Sequence, residues 1–298
     1  MNGTLVPVRT PYRRDLSAVV LRRLSTNVVD VFEGGVYRRL LGDPRAPTLL
    51  TVDQPAPDAV RVRFDGPQAA RFDAVSVVRR ALGTDVDLTP LYDGARAFAW
   101  LDRIATLARG VRPPRYPTLW EAIVNAVVYQ QVSIHAAGAI LRRVIERFAV
   151  ASEADGVRLF PFPDAATILA ADPPELRSLG LSVNKINALK AVAHAIADGA
   201  LDEAALAELT TPDLIAALVE HKGIGPWTAA VVALRGFGRL DIFPMNDSGA
   251  TAGLRKLSGD PAIEAEPILE RLQPQQGMLY YHLLLGRLDE RGEISLTR

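Results

Sequence analysis

Two short stretches carry residues whose types and spacing could do chemistry. The first is Lys222-Gly223-Ile224-Gly225-Pro226, set between apolar runs in Leu214 to Arg235, LIAALVEHKGIGPWTAAVVALR. Glycine at 223 and 225 permits a tight turn and removes side chains that would block a close approach. Ile224 can tuck inward and pin the turn. Pro226 suits a first helical turn, where its missing N–H needs no partner. The N–H groups around Gly223, Gly225 and Trp227 would then point outward at a helix N-terminus, an anion site that needs no base sequence. A DNA phosphate is the obvious occupant. A plain αα-hairpin with glycines for packing is the other reading, and on these residues alone the two stand even.

The second stretch is Asp241-Ile242-Phe243-Pro244-Met245-Asn246-Asp247, after which Ser248-Gly249-Ala250 opens a helical run. A carboxylate at an N-cap is stabilised in its ionised form by free N–H groups and the helix dipole. Asp247, so placed, could face a developing positive charge and orient a water. Aspartate at an N-cap is also commonplace as a structural device. Asp241 is the rival carboxylate; its place soon after Gly236-Phe237-Gly238 favours a structural cap.

Helices must position both stretches. Thr211-Pro212 reads as a helix start, a hydroxyl N-cap followed by proline at N1. Leu119, Ile123 and Val127 recur at four-residue spacing, as do Ile140, Val144 and Phe148. Pro113-Pro114 and Pro117 separate helices, the run from Ala191 to Ala207 reads as helix, and Asp155-Gly156 can close a short hairpin. Before about Leu91 the pattern differs. Val28 to Phe32, Val36 to Leu41, Thr48 to Val52 and Val60 to Phe64 are short apolar runs with turn residues between them, Gly34-Gly35 among these. They read as antiparallel strands. Asp15 to Leu24 and Pro67 to Leu82 read as flanking helices, with Pro67 at a first helical position. The expected division is an α+β module over 1–90 and a helical domain over 91–298. The latter contains the hairpin at about 211–235 and the Asp247 loop at 236–248.

The chain has 298 residues, 49% of them hydrophobic and 23% charged, which suits a folded globular protein rather than a disordered one. Lys+Arg and Asp+Glu both number 34, so any affinity for a polyanion has to be local. Cysteine is absent, which excludes disulfides, cysteine-ligated metals and thiol nucleophiles. His135, His194, His221 and His282 are scattered without metal-ligand spacing. Neither a signal peptide nor a long apolar span is expected, so a cytoplasmic, nucleoid-associated location is the default. A dinucleotide fingerprint fails because Gly223 follows a helix, not a strand.

With these motifs in view, the chain resembles the helix-hairpin-helix superfamily of DNA glycosylases, and within it the alkylbase branch of the 3-methyladenine DNA glycosylase II type. Gly223 to Ala229, Ala233 to Gly236, Asp241-Ile242-Phe243 and Asp247 carry the likeness. Asn125 to Ala137 (NAVVYQQVSIHAA), Leu179 to Lys190, Phe162-Pro163 and Ala171-Asp172-Pro173 extend it, and the N-terminal module matches the branch's extra domain. The implied fold is mostly α with an N-terminal α+β module, a helix-hairpin-helix glycosylase fold plus a small antiparallel sheet.

The resemblance implies a monofunctional enzyme that flips an alkylated base, such as 3-methyladenine or 7-methylguanine, out of duplex DNA and hydrolyses its N-glycosidic bond. Asp247 would be the catalytic carboxylate. Trp227, Val231, Gln275 and His282 would line the base pocket. Trp227 also stands where the lyase-competent branch has its Schiff-base lysine, so no lyase step is expected. Gln130, Gln131, Lys222, Gly223, Ile224, Gly225 and Thr228 would contact DNA, with Gln131 at the position of the wedge that fills the gap. No cofactor is required; a monovalent cation on the hairpin carbonyls of Lys222 and Gly225 is a family feature. The expected partner is damaged double-stranded DNA, and the expected state a monomer. The rival reading is a non-catalytic DNA-binding or lesion-sensing protein that keeps the hairpin and has no need of Asp247.

Overall fold

The computed structural model describes residues 3–296. Five strands, β1 (Thr4–Pro7), β2 (Val31–Glu33), β3 (Val36–Leu41), β4 (Thr48–Ala56) and β5 (Ala59–Asp65), form one antiparallel sheet in the order β1-β5-β4-β3-β2. Helix α1 (Arg14–Arg22) and α2 (Ala74–Leu82) pack with the sheet. The register keeps Tyr37 opposite Val52 and Val52 opposite Val62, so these side chains share a face and are fully buried.

The rest is helical: α3 (Thr89–Ala95), α4 (Ala99–Leu107), α5 (Leu119–Tyr129), α6 (Ile134–Phe148), α7 (Ala165–Ala170), α8 (Pro173–Ser178), α9 (Val183–Ala197), α10 (Glu203–Ala207), α11 (Thr211–Val219), α12 (Pro226–Val232), α13 (Ser248–Ser258), α14 (Glu266–Arg271) and α15 (Gly277–Glu290). A hairpin of β6 (Ser152–Ala154) and β7 (Val157–Leu159) closes on Asp155-Gly156. Helix α12 runs on as a π-helical turn, Ala233–Phe237. Among the described residues no helix is long and apolar enough to cross a membrane.

Two helix starts differ from the sequence expectation, each because a better oxygen lies nearby. Pro67 does not open a helix; Ala69–Arg71 is a single 3₁₀ turn. Helix α2 begins after Asp73, whose Oδ2 accepts the Ser76 N–H at 2.7 Å. The N-cap of α11 is Thr210, not Thr211, with Pro212 in the first turn. Thr211 instead donates its hydroxyl to Asp241 Oδ1 at 3.0 Å.

Apolar packing runs without a break from the sheet into α5, α6, α9 and α12. A second cluster joins the other face of α1 to α3, α4, α13, α14 and α15. Helix α1 therefore lies between sheet and bundle, and its end is fastened there. Arg235, fully buried in the π-helical turn, donates Nη2 to Val20 O at 2.9 Å and Leu21 O at 3.2 Å. A second polar tie crosses from sheet to helix: Arg39 of β3 donates to Asp30 Oδ1 at 2.6 Å and to Glu121 in the first turn of α5. Tyr37 completes it, its hydroxyl donating to Asp30 Oδ1 at 2.6 Å. Burial pushes the Glu121 carboxyl up to about 7, against the pull of Arg39.

Candidate active site

The turn between α11 and α12 is tight because two of its residues do different jobs. Gly223 has φ +90°, and a Cβ there would lie 2.2 Å from Ala188 Cβ of α9, so the fold itself needs glycine. Gly225 has φ −87° with nothing within 4 Å of a Cβ, so the fold does not. Its bare surface leaves room for something outside the chain. Ile224 is buried, and its N–H donates to His221 O at 3.0 Å inside the turn. Among the described residues no internal acceptor takes the Gly223 or Gly225 N–H.

Past the π-helical turn the chain doubles back to Asp247, the N-cap of α13. Its Oδ1 accepts the Ala250 N–H at 2.7 Å. Its Oδ2 accepts Trp227 Nε1–H at 3.0 Å and the Tyr280 hydroxyl at 3.1 Å. One helix N-terminus and two aromatic donors thus hold the carboxylate in a single orientation. Burial, and after it the Asp247 charge, raises the Tyr280 phenol, which keeps it a donor.

Asp247 lies in the wall of a cavity of about 840 Å³. Trp227, Tyr129, Tyr280, Arg23, Asn246 and Gln131 share that wall. The described residues include four non-glycine residues at positive φ: Arg23 (62°), Gln131 (54°), Asn246 (62°) and Asp155 (51°). The first three all line this cavity, and the fourth closes the β6–β7 turn. Such strain persists where the surroundings over-determine it, and functional sites are where it gathers.

The expected pocket residues divide sharply. Trp227 stands in the wall. Val231 does not: it is 1% exposed and packs in the core. Gln275 also lies elsewhere, buried before α15 begins, with Oε1 accepting the Leu91 N–H at 3.1 Å and Nε2 donating to Asp87 O. His282 is fully buried off the cavity, its Nδ1 2.8 Å from Met278 O, and burial lowers its pKa. The reason is helical register. Tyr280, Leu283, Leu284, Arg287 and Leu288 of α15, with Arg291 at its C-cap, face the cavity at three- and four-residue spacing, and residue 282 falls on the other side. That stripe was present in the sequence. Arg23 and Tyr129 were not recoverable from local pattern, because the tertiary fold alone brings them to Asp247.

The expected DNA contacts also separate. Lys222 and Gly223 are exposed and Gly225 half-buried. Ile224 and Thr228 are buried and act from behind. Gln130 is a strut: its Nε2 donates to Thr228 Oγ1 at 2.7 Å and Gly223 O at 3.2 Å, tying the end of α5 to the hairpin. Lys185 Nζ holds the same turn by donating to Val128 O at 2.8 Å and Gln130 O at 2.9 Å. Gln131, exposed and left-handed, projects beside Val132, which is 39% exposed. Asp241 is exposed and tied to Thr211.

Comparison with known proteins identifies the family and the fold. Residues 124–274 match the model of the HhH-GPD superfamily of base excision DNA repair proteins. The DNA-3-methyladenine glycosylase of Bacillus subtilis is 29% identical over 190 residues, 64% of this chain and 63% of that protein. DNA-3-methyladenine glycosylase 2 of Escherichia coli is 30% identical over 151 residues, 49% of this chain and 51% of that protein. The matches thus span less than two thirds of those relatives' own length. In structure, the 3-methyladenine DNA-glycosylase of Archaeoglobus fulgidus superposes with a TM-score of 0.77 at 23% identity, covering 95% of this chain and 98% of that one.

Proposed function

The chain belongs to the HhH-GPD superfamily of base excision DNA repair proteins, and from that premise we propose that it excises alkylated bases from double-stranded DNA by hydrolysing the N-glycosidic bond. The observation that carries the proposal is Asp247, held by Ala250, Trp227 and Tyr280 in the wall of a cavity beside the hairpin.

The hairpin grips a phosphate of the duplex through the outward N–H groups near Gly223 and Gly225. Arg287 and Arg291 at the cavity rim add charge for the backbone. The damaged nucleotide leaves the stack at a cost of a few kcal/mol, and Gln131 fills the gap. In the cavity the C1′–N bond breaks, its electron pair goes to the base, and positive charge builds on the sugar. Asp247 stabilises that charge more in the transition state than before it. Water oriented by Asp247 then bonds to C1′ and passes its extra proton to bulk solvent. A 3-methyladenine or 7-methylguanine base is cationic while bonded and leaves neutral, so it needs no acid.

A lyase step would need an amine in the cavity. Trp227 holds the first turn of α12, and among the described residues the lining includes arginines but no lysine, which supports a monofunctional hydrolase; we propose that it acts as a monomer. A monovalent cation bound at the hairpin would take the carbonyls of Lys222 and Gly225. Gly225 O already accepts the Ala229 N–H at 2.9 Å. Such an ion would stiffen the hairpin, and no step passes through it.

Methylated duplex DNA incubated with the protein is expected to release free 3-methyladenine and 7-methylguanine without metal or nucleotide, read by product chromatography. Folded protein that binds duplex and releases no base would sink the proposal and leave a hairpin that only binds DNA.

A further inference from the structure

The same cavity holds a charge that the reading above does not use. Arg23 follows α1, far from Asp247 in the sequence, yet its side chain lines the cavity. It is 5% exposed. Its guanidinium lies 4.0 Å from the centre of the Tyr129 ring, with Tyr116 and Tyr280 also near enough to act on it electrostatically. Among the described residues no carboxylate pairs with it.

Other buried arginines of this protein have oxygen partners. Arg39 has Asp30 and Glu121, Arg235 has two carbonyls, and Arg112 donates to Arg9 O and Pro11 O. Arg23 has tyrosines. A guanidinium presents five N–H donors, and one phenol leaves most of them free. Arg23 lines the cavity, and none of its nitrogens is among the buried atoms sealed from solvent without a partner. A buried charge with no anion is costly. The backbone adds to that cost. Arg23 has φ 62° and ψ −56°, and Leu24 N–H donates to Arg22 O at 2.7 Å, a γ-turn of the rare and strained kind. Arg235 fastens the turn just before it. The fold sustains both penalties to aim a cation at the space beside Asp247.

We propose that Arg23 binds the acceptor edge of the flipped base and stabilises the negative charge that an uncharged base takes up as it leaves. This rests on the excision reading above and names a lesion class for the same site. When C1′–N breaks, the bond pair goes to the base. A cationic alkylpurine becomes neutral; an uncharged base with an exocyclic oxygen becomes an anion and takes a proton from water afterwards. The guanidinium repels the first in its bound state and attracts the second as it departs. Lesions therefore fall into two groups, cationic ones that do not need Arg23 and neutral carbonyl-bearing ones that do.

The test compares duplexes carrying a single 7-methylguanine or a single hypoxanthine, in single-turnover release by wild type, Arg23→Gln, Arg23→Lys and Asp247→Asn. Arg23→Gln is expected to slow hypoxanthine release about 10- to 100-fold and 7-methylguanine release far less, so that the ratio of the two rates falls about tenfold or more. Arg23→Lys keeps charge but loses the planar fork, and falls between. Equal losses on both substrates would mark Arg23 as structural and overturn the assignment. If Arg23→Gln does not fold, the wild type decides: release of 7-methylguanine without hypoxanthine overturns it. A wild type that releases neither base, or an Asp247→Asn form that releases both at full rate, removes the excision reading and this inference with it.

Discussion

The two ends of α5 meet arginines that reach the helix from the N-terminal part of the chain, and they are built on opposite plans. At the first turn, Glu121 meets Arg39, Asp30 and Tyr37 in a closed network with opposite charges in contact. At the last residue, Tyr129 lies under Arg23, whose charge has no anion. Both sites are buried and both are costly to make. Charge pairing marks the first as a joint between sheet and bundle: Arg39 Nε lacks a partner, but the guanidinium already touches two carboxylates. The vacant donors mark the second as a place where a partner arrives from outside.

Breaking the closed end should cost the most. Arg39→Met strands Asp30 and Glu121 together, and is expected to lower stability by about 3–5 kcal/mol, read by urea unfolding. Base release per folded molecule should change little. A loss of release with stability intact would invert the comparison. The open end answers in the other currency. Asp247→Asn keeps the N-cap oxygen for Ala250 but leaves the Trp227 N–H without its acceptor, so stability should fall by only about 1–3 kcal/mol while release falls about 100- to 1000-fold. An unfolded variant would place Asp247 with the structural residues instead.

The hairpin offers a finer version within three residues. Gly223→Ala puts a Cβ 2.2 Å from Ala188 Cβ at φ +90°, and should cost about 1–3 kcal/mol of stability. Gly225→Ala should leave the melting temperature unchanged and weaken duplex binding about tenfold, or 1.4 kcal/mol, in a fluorescence titration. Equal effects from both would remove the argument that Gly225 is kept for DNA.

The smallest effect concerns His282, buried like Arg23 but off the cavity. Burial lowers its pKa below the ordinary 6.5. Above that pH the ring is neutral in both folded and unfolded chains and contributes no slope. Below it the unfolded chain binds a proton that the folded one resists, so stability falls as pH drops, by up to about 1.4 kcal/mol per unit. His282→Leu should flatten the stability curve between pH 6.5 and 5. An unaltered slope would mean that other groups set it.

How much could be read in advance differs from one residue to the next. The hairpin, the Asp247 N-cap and the Gly34-Gly35 turn rest on short-range rules, and those rules act on neighbours in the chain. Pro67 and Thr211 misled because Asp73 and Thr210 competed for the same caps and accept the N–H groups of Ser76 and Asp213 there. The resemblance names His282, but register on α15 turns Tyr280, two residues earlier, to the cavity. Spacing from Leu283, Leu284, Arg287 and Arg291 would have corrected it. Gln275 and Val231 misled because alignment to a motif gives position along the chain, not direction in space.

From its residue types alone, this chain determined a mostly helical fold with a small antiparallel sheet, a glycine hairpin and a capped aspartate downstream. Those outcomes depend on backbone torsions and on hydrogen bonds a few residues long. Tertiary structure decided which side chains surround the aspartate. Arg23, Tyr129 and Tyr280 converge there only because α1, α5 and α15 pack together. No local rule encodes the meeting of groups that are distant in the chain, because their encounter is set by how whole helices bury their apolar faces.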